Sequence, residues 1–251
     1  MKLSVISFNI RYCDDPMGNS IPERAPRLGA VTDPYAPDIL CFQECSPRWT
    51  PFLEQLYDRD YEITINYRSK SDPEGCPILW RKDRFDALDT GLFWLSDTPD
   101  TESRGWDALF NCYRICAYAV LREKATGRSF TVMNTHFGFG DAGQLRSAEL
   151  IHRRAKAISP YPTFITGDFN MNPDSAGYGA MCRYFTDVNA ATASDFRATL
   201  HGYHPEACCS EHIDYCFSDS RITPISHRIL RDAVDGKYPS DHFGLSLILE
   251  L

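Results

Sequence analysis

Two polar side chains follow a short apolar run, in which Thr163, Phe164, Ile165 and Thr166 lead into Gly167, Asp168, Phe169 and Asn170. An apolar run of that length stopped by glycine reads as a buried strand that ends in a sharp turn. Asp168 and Asn170 then stand at a sheet edge, where a carboxylate can orient a water and an amide can donate to a phosphate oxygen. Taken alone, Asp and Asn after a strand are ordinary turn formers, because both hydrogen-bond their own backbone. Other strand ends stop on the same kinds of residue. Asn9 follows the run 3–8, Glu44 follows 38–42, and His136 closes 129–135. Asp214 lies among apolar neighbours in 211–217, where a carboxylate normally has a partner, and Asp241 with His242 precedes the last run, 243–251.

The elements that must carry these residues alternate along the chain. Strands are expected over 3–8, 38–42, 77–80 and 91–95, and a hairpin over 114–121 and 129–135 joined by Lys124, Ala125, Thr126, Gly127 and Arg128. Apolar residues at helical spacing mark Trp49, Phe52, Leu53 and Leu56, with Ser46 and Pro47 as the expected start. A long amphipathic helix carries Leu145, Ala148, Ile151, Ala155 and Ile158, with Arg146, Glu149, Arg153, Arg154 and Lys156 on its wet face. Shorter helices are expected over 23–31, ended by Pro34, and after Asp174 and Ser175, with Tyr178, Met181, Cys182 and Phe185 inward. The loop 96–106 and the segment 195–209 are expected to shape a pocket. Runs such as 39–42 do not alternate, which fits strands covered on both faces.

The 251 residues, with no internal repeat or linker, are expected to form one domain spanning 1–251. Hydrophobic content of 43% and charged content of 24% are those of a globular chain with a sizeable core. A formal charge of -8 argues against sequence-blind attraction to nucleic acid, yet a bound divalent cation can reverse the local sign for a phosphate substrate. The ten cysteines include the spacings Cys41/Cys45 and Cys112/Cys116 and the neighbours Cys208 and Cys209, none with zinc-site spacing. With no signal-like N-terminus and no membrane-length apolar run, they read as reduced, mostly buried thiols in a cytoplasmic protein. A monomer is expected.

Read together, the strand ends make six motifs in order: Ser7-Phe8-Asn9-Ile10-Arg11, Phe42-Gln43-Glu44, Asn134-Thr135-His136-Phe137, Gly167-Asp168-Phe169-Asn170, His212-Ile213-Asp214-Tyr215 and Ser240-Asp241-His242-Phe243. This set resembles the endonuclease/exonuclease/phosphatase (deoxyribonuclease I-like) superfamily, and the resemblance runs from residue 3 to residue 249. The stretches 80–85 and 91–99, with Gly105-Trp106-Asp107 and Arg114-Ile115-Cys116, are similar to a bacterial branch near the nocturnin and deadenylase-like members. Asn111-Cys112-Tyr113 departs from that pattern, which has a shorter segment with proline.

The resemblance implies an α/β fold, a four-layer α/β/β/α sandwich with two mainly antiparallel sheets packed face to face and helices outside. It also implies a divalent-metal-dependent phosphoesterase that hydrolyses a phosphomonoester or phosphodiester by in-line attack of an activated water. Asn9, Glu44 and Asp241 would hold Mg2+ or Mn2+, which prefer oxygen ligands. Asp214 would orient His242, the general base or an electrostatic partner. Asp168 would orient or deprotonate the water, so the choice between Asp168 and His242 as proton acceptor stays open. Asn170 and His136 would donate to the non-bridging oxygens. Arg114 is a candidate phosphate contact or, equally, an exposed structural arginine. The acidic balance leans towards a small-molecule or lipid-headgroup phosphate ester over nucleic acid. The alternatives are a nuclease acting on RNA or DNA, a catalytically silent binding scaffold on the same fold, and a structural cation site.

Overall fold

In the first strand the side chains turn alternately to two different apolar environments. The computed structural model, which describes residues 1–192, 198–206 and 211–251, places Leu3 and Val5 of β1 (Lys2–Asn9) in one core cluster and Ile6 and Phe8 in another. A strand covered on both faces has no wet side, so its sequence cannot alternate polar with apolar. The helix α1 (Ile21–Thr32) begins two residues earlier than periodicity suggests, because the Glu23 carboxylate accepts the Ser20 N–H at 3.1 Å and closes the first turn. Pro34 falls within a short 3-10 turn, Asp33–Tyr35. The strand β2 (Ile39–Gln43) follows, buried throughout.

The helix expected to start at Ser46 starts at Thr50 instead, as α2 (Thr50–Tyr57) with Pro51 in its first turn. Ser46 caps no helix; its Oγ donates to the Tyr12 carbonyl at 3.0 Å, and Trp49 N–H closes a turn onto the Ser46 carbonyl at 2.9 Å. Next come β3 (Tyr61–Thr64), β4 (Ile78–Arg81), β5 (Phe85–Trp94), β6 (Ile115–Glu123) and β7 (Ser129–His136). The long amphipathic helix is α3 (Asp141–Ile158), followed by β8 (Thr163–Asp168). Ser175 caps α4 (Ala176–Tyr184) by accepting the Tyr178 N–H at 3.1 Å. Cys182 on that helix is exposed and not inward, since Ala180 and Met181 fill the buried face. After β9 (Thr186–Asp187) and α5 (Val188–Ala191), the chain enters β10 (Asp214–Ser218), β11 (Thr223–Leu230) and β12 (Gly244–Glu250). Asp214 is thus the first residue of its strand and not an interior one.

These strands form two six-stranded sheets, ordered β11-β12-β1-β2-β4-β3 and β5-β6-β7-β8-β10-β9. Each sheet holds a single parallel pair at its centre, β1 with β2 and β7 with β8, and is otherwise antiparallel. Three cores separate the layers. Leu3, Val5, Ile39 and Ile78 of the first sheet meet Ala119, Leu121, Val132 and Phe164 of the second. Phe8, Leu40 and Leu79 pack outward on Ala25 and Leu28 of α1 and Leu53 of α2. Met133, Ile165 and Phe217 pack outward on Ala148 and Ile151 of α3 and Met181 of α4. The result is an α/β fold in which two mixed sheets lie between two helical layers.

The eight described cysteines are free thiols, five of them buried, while Cys208 and Cys209 lie outside the described residues. No described helix is long and apolar enough to cross a membrane.

Candidate active site

The carboxyl ends of all four central strands reach the same rim. In register, Asn9 stands beside Gln43, and His136 beside Asp168. Antiparallel β10 starts where β8 ends, so Asp214 pairs with Asp168. The close approach of β8 to β7 requires glycine at 167: a Cβ there would meet the Thr135 carbonyl oxygen at 2.1 Å. Beyond the strands the backbone turns sharply, with Glu44 at φ 60° and Asn170 at φ 49°, left-handed values uncommon for side-chain-bearing residues. These turns aim Glu44 and Asn170 into a cleft of about 990 Å³ that is also lined by His136, Asp168, Asp241 and His242.

The contacts within the cleft are specific. Asn9 Nδ2 donates to Glu44 Oε1 at 3.1 Å and to Asp168 Oδ2 at 2.9 Å. The second Glu44 oxygen accepts the Tyr12 N–H at 2.9 Å. His242 Nδ1 meets Asp214 Oδ2 at 2.9 Å, and its Nε2 lies 3.8 Å from Asp168 Oδ2. His136 Nε2 approaches the same Asp168 oxygen from the other side, at 3.7 Å. Asp168 Oδ1 accepts the Asn170 N–H at 2.9 Å, and Asn170 Nδ2 is tied to the Phe137 carbonyl at 2.9 Å.

Burial sets the electrostatics. Desolvation and the neighbouring Asp214 raise the Asp168 carboxyl above its ordinary value, against His136, His242 and the Asn9 amide. His136 is pushed down to about 4 by burial and then by Arg114, with Asp168 and Glu44 opposing. For His242 burial also favours the neutral ring, but Asp214, Asp168 and Asp241 outweigh it and hold the imidazole well above the usual range.

A hard divalent cation fits this donor set. Glu44, His136 and Asp168 each present a ligand atom within 4.8 Å of the others, as do Asp168, Asp214 and His242. A cation would compensate carboxylates that burial otherwise penalises. Of the three expected ligands, Glu44 belongs to the first group. Asn9 reaches the cluster through its nitrogen, while its oxygen accepts the Arg11 N–H at 3.0 Å. Asp241 lines the same cleft but lies 3.7 Å from Arg11 Nε and belongs to neither group.

Arg114 is not an exposed arginine. It is 5% exposed, lines the cleft, and holds Asp107 Oδ2 through Nε at 3.1 Å and Nη2 at 3.0 Å. The loop 96–106 contributes nothing to the cleft lining; ion pairs of Asp97 with Arg146 and of Asp100 with Arg154 hold it against α3. The following stretch reaches the cleft instead, through Phe110, Cys112 and Arg114. Of the segment 195–209, Leu200 lines the cleft, and residues 195–197 and 207–209 lie outside the described part.

Sequence reasoning missed Glu74 and Arg68. Glu74 Oε1 receives Arg68 Nη1 at 2.8 Å and faces His136 Nδ1 at 3.2 Å. Mutual backbone hydrogen bonds between Cys45 and Gly75 place Glu74 near Glu44, a long-range pairing that leaves no periodic trace.

Two packed sheets, helices outside them and a cleft of carboxylates and imidazoles at one rim define the class, an α/β sandwich with a polar cleft where its central strands end. The chain belongs to the Endonuclease/Exonuclease/phosphatase family, which it matches over residues 6–242. It is similar to an endonuclease/exonuclease/phosphatase of Bacteroides vulgatus, with 30% identity, TM-score 0.90, and coverage of 100% of this chain and 99% of that one. A mannosyl-6-phosphatase of Bacteroides thetaiotaomicron VPI-5482 is similar at 28% identity and TM-score 0.89, over 99% of this chain and 100% of that one. The catalytic domain of human nocturnin shares the fold, with 18% identity, TM-score 0.76, and coverage of 99% and 93%. The chain spans about half or less of the length of the curated relatives it matches.

Proposed function

We propose that the protein is a divalent-metal-dependent phosphoesterase, acting as a single-domain monomer in the cytoplasm, that cleaves a phosphomonoester or phosphodiester by in-line attack of water. The reading rests on one observation: Asn9, Glu44, His136, Asp168, Asp214 and His242, far apart in sequence, meet through contacts of 2.9–3.8 Å at one rim. Glu44 would hold Mg2+ or Mn2+, with Asp168 and His136 offering further ligand atoms, Asp241 closing the acidic side, and Asn9 fixing the carboxylates. When bound, the ion supplies charge that polarises the phosphoryl group and steadies the leaving oxygen.

The chain's own groups do the rest. Asp214 holds the His242 ring by Nδ1, so Nε2 faces Asp168 and the space where a water would sit. The water's proton passes to Asp168, or to His242 Nε2 when that ring enters the reaction neutral; the two atoms lie 3.8 Å apart. Asn170 flanks that space and suits developing charge on the non-bridging oxygens, whereas His136, neutral and with Nδ1 turned to Glu74, offers Nε2 as a ligand atom; Arg114 adds positive charge in the same cleft.

Similarity to a mannosyl-6-phosphatase makes sugar phosphates the first substrates to try. The test is a panel of sugar phosphates, nucleotides, inositol phosphates, phospholipids, RNA and DNA, each with Mg2+, Mn2+ or EDTA. Turnover that needs the metal and is lost in Asp168→Asn and His242→Ala is expected. Turnover indifferent to chelation, or retained in His242→Ala, sinks the assignment. Metal binding without turnover on any ester would favour the silent scaffold or the structural cation site.

A further inference from the structure

Between the dry inter-sheet core and the reacting groups lies one layer of buried polar side chains that the chemistry above does not use. On the faces that meet between the sheets, the apolar Val5, Cys41, Val132 and Phe164 give way to Ser7, Gln43, Asn134 and Thr166. The next layer along β1, β7 and β8 is Asn9, His136 and Asp168, and Glu44 follows Gln43 directly.

Gln43 and Asn134 cross from sheet to sheet, and both are 0% exposed. Gln43 Nε2 donates to Asn134 Oδ1 at 2.7 Å and to Ser7 Oγ at 3.2 Å. Asn134 Nδ2 donates back into the first sheet, to the carbonyls of Phe42 at 2.7 Å and Pro77 at 2.8 Å. Stability alone does not call for this arrangement. Gln43 Oε1 is buried with no partner among the described residues, and an unmatched buried acceptor is destabilising. An apolar pair of the same shape would be close to neutral or better. What an amide pair adds is direction: its bonds fix the spacing and rotation of facing strands, which apolar contacts leave looser.

We infer that Gln43 and Asn134 are positioning residues that set the distance across the cleft between Glu44 on one sheet and His136 and Asp168 on the other. The inference rests on the proposed reading of the cleft as a metal-assisted phosphoesterase site. Partners one layer behind metal-holding groups commonly change affinity or activity by about 10–100-fold when removed.

The test compares Gln43→Met and Asn134→Leu with Thr131→Val. Thr131 is on β7, away from the rim, where its Oγ1 makes a buried 2.6 Å contact with Ser159 Oγ, so its loss controls for a weakened core. Each variant is assayed for kcat and KM on bis(p-nitrophenyl) phosphate and p-nitrophenyl phosphate with Mn2+, for Mn2+ affinity by titration calorimetry, and for Tm. Gln43→Met and Asn134→Leu are expected to lower kcat and weaken Mn2+ binding by about tenfold or more, with little change in KM. Thr131→Val at a similar Tm loss should stay within about twofold of wild type on both measures. If Asn134→Leu does not fold, Gln43→Met decides, because it leaves both Asn134 bonds to carbonyls intact. Wild-type kcat and Mn2+ affinity in Gln43→Met, or equal losses in Thr131→Val, overturn the inference. A wild type that binds Mn2+ without turnover discards the enzymatic reading and leaves the affinities to decide. One that does neither overturns both.

Discussion

Arg24 is 0% exposed, and no carboxylate pairs with it among the described residues. Its guanidinium instead collects backbone carbonyls: Asn19 at 2.8 Å, Arg11 at 3.0 Å, Cys13 at 2.6 Å, Pro239 at 3.4 Å, and Ile10. It also lies over the Trp49 ring, 5.1 Å from the centroid. Arg24→Met keeps the stem and removes every donor. Each bond from a charged donor contributes about 1.5–3 kcal/mol. The carbonyls of Arg11 and Cys13 are part-buried and can turn to water, whereas those of Asn19 and Ile10 cannot. Discounted for the desolvation of the lost charge, the expected destabilisation is about 3–5 kcal/mol. For a chain of 251 residues that corresponds to a fall in Tm of about 6–20 °C. Urea and thermal unfolding followed by circular dichroism measure it, with Arg24→Lys alongside. A lysine keeps the charge but cannot span the fan of carbonyls, so it should lose most of the same stability. An Arg24→Met protein within about 1 kcal/mol of wild type would show that water replaces the guanidinium. The segments it ties carry Tyr12 and Arg11 on one side and lead to Asp241 and His242 on the other, so kcat should fall together with stability.

Asp214→Asn removes a charge-assisted bond of 2.9 Å to His242, which should lower kcat about ten- to hundredfold with unchanged circular dichroism; an enzyme keeping half its kcat contradicts the pairing. Exhaustive chelation should abolish turnover and lower Tm, with Mg2+ or Mn2+ restoring both, and Glu44→Gln should raise the metal concentration needed. Burial works against ionisation of Asp107, but the N–H groups of Phe110 and Leu109 and the Arg114 guanidinium win and hold its carboxyl below the usual range. Its stabilisation is therefore complete above the unfolded value of about 3.9 and fades as pH falls through the lower folded value. The Tm gap between wild type and Asp107→Asn should narrow below about pH 4, and a gap constant from pH 3 to 7 contradicts the assignment. Activity on a small phosphate ester should change little with added KCl, whereas a nucleic-acid substrate would show a steep loss.

The strands were legible because burial on both faces leaves an unmistakable apolar run, as over 39–42, and because each central run stops on a polar residue. Four such stops, with the motifs around Asp214 and around Asp241 and His242, were enough to point to the family and its sandwich. Their being brought to one rim depends on strand order, which no local pattern encodes. Boundaries slipped where a tertiary bond overrode a local preference. Ser46 has the look of a cap, yet its hydroxyl is drawn to the Tyr12 carbonyl and the helix waits until Thr50. Asp214 looked like an interior strand residue, but β10 opens on it. Glu74 and Arg68 were invisible because an irregular stretch delivers them through the Cys45–Gly75 pairing. Arg114 was ambiguous because its burial depends on Asp107, seven positions earlier in a loop with no periodicity.

The two central parallel pairs have a consequence for how such a molecule can change. In both sheets the third and fourth positions supply most of the rim, with Asp214 of β10 beside them, and each pair is shielded by two neighbouring strands on either side. The outermost strands, β11, β3, β5 and β9, can therefore be lengthened, shortened or decorated without shifting the inner four. Evolution can remodel the doorway of this scaffold while leaving its hearth untouched, so divergent clientele and an unaltered reaction are compatible by construction.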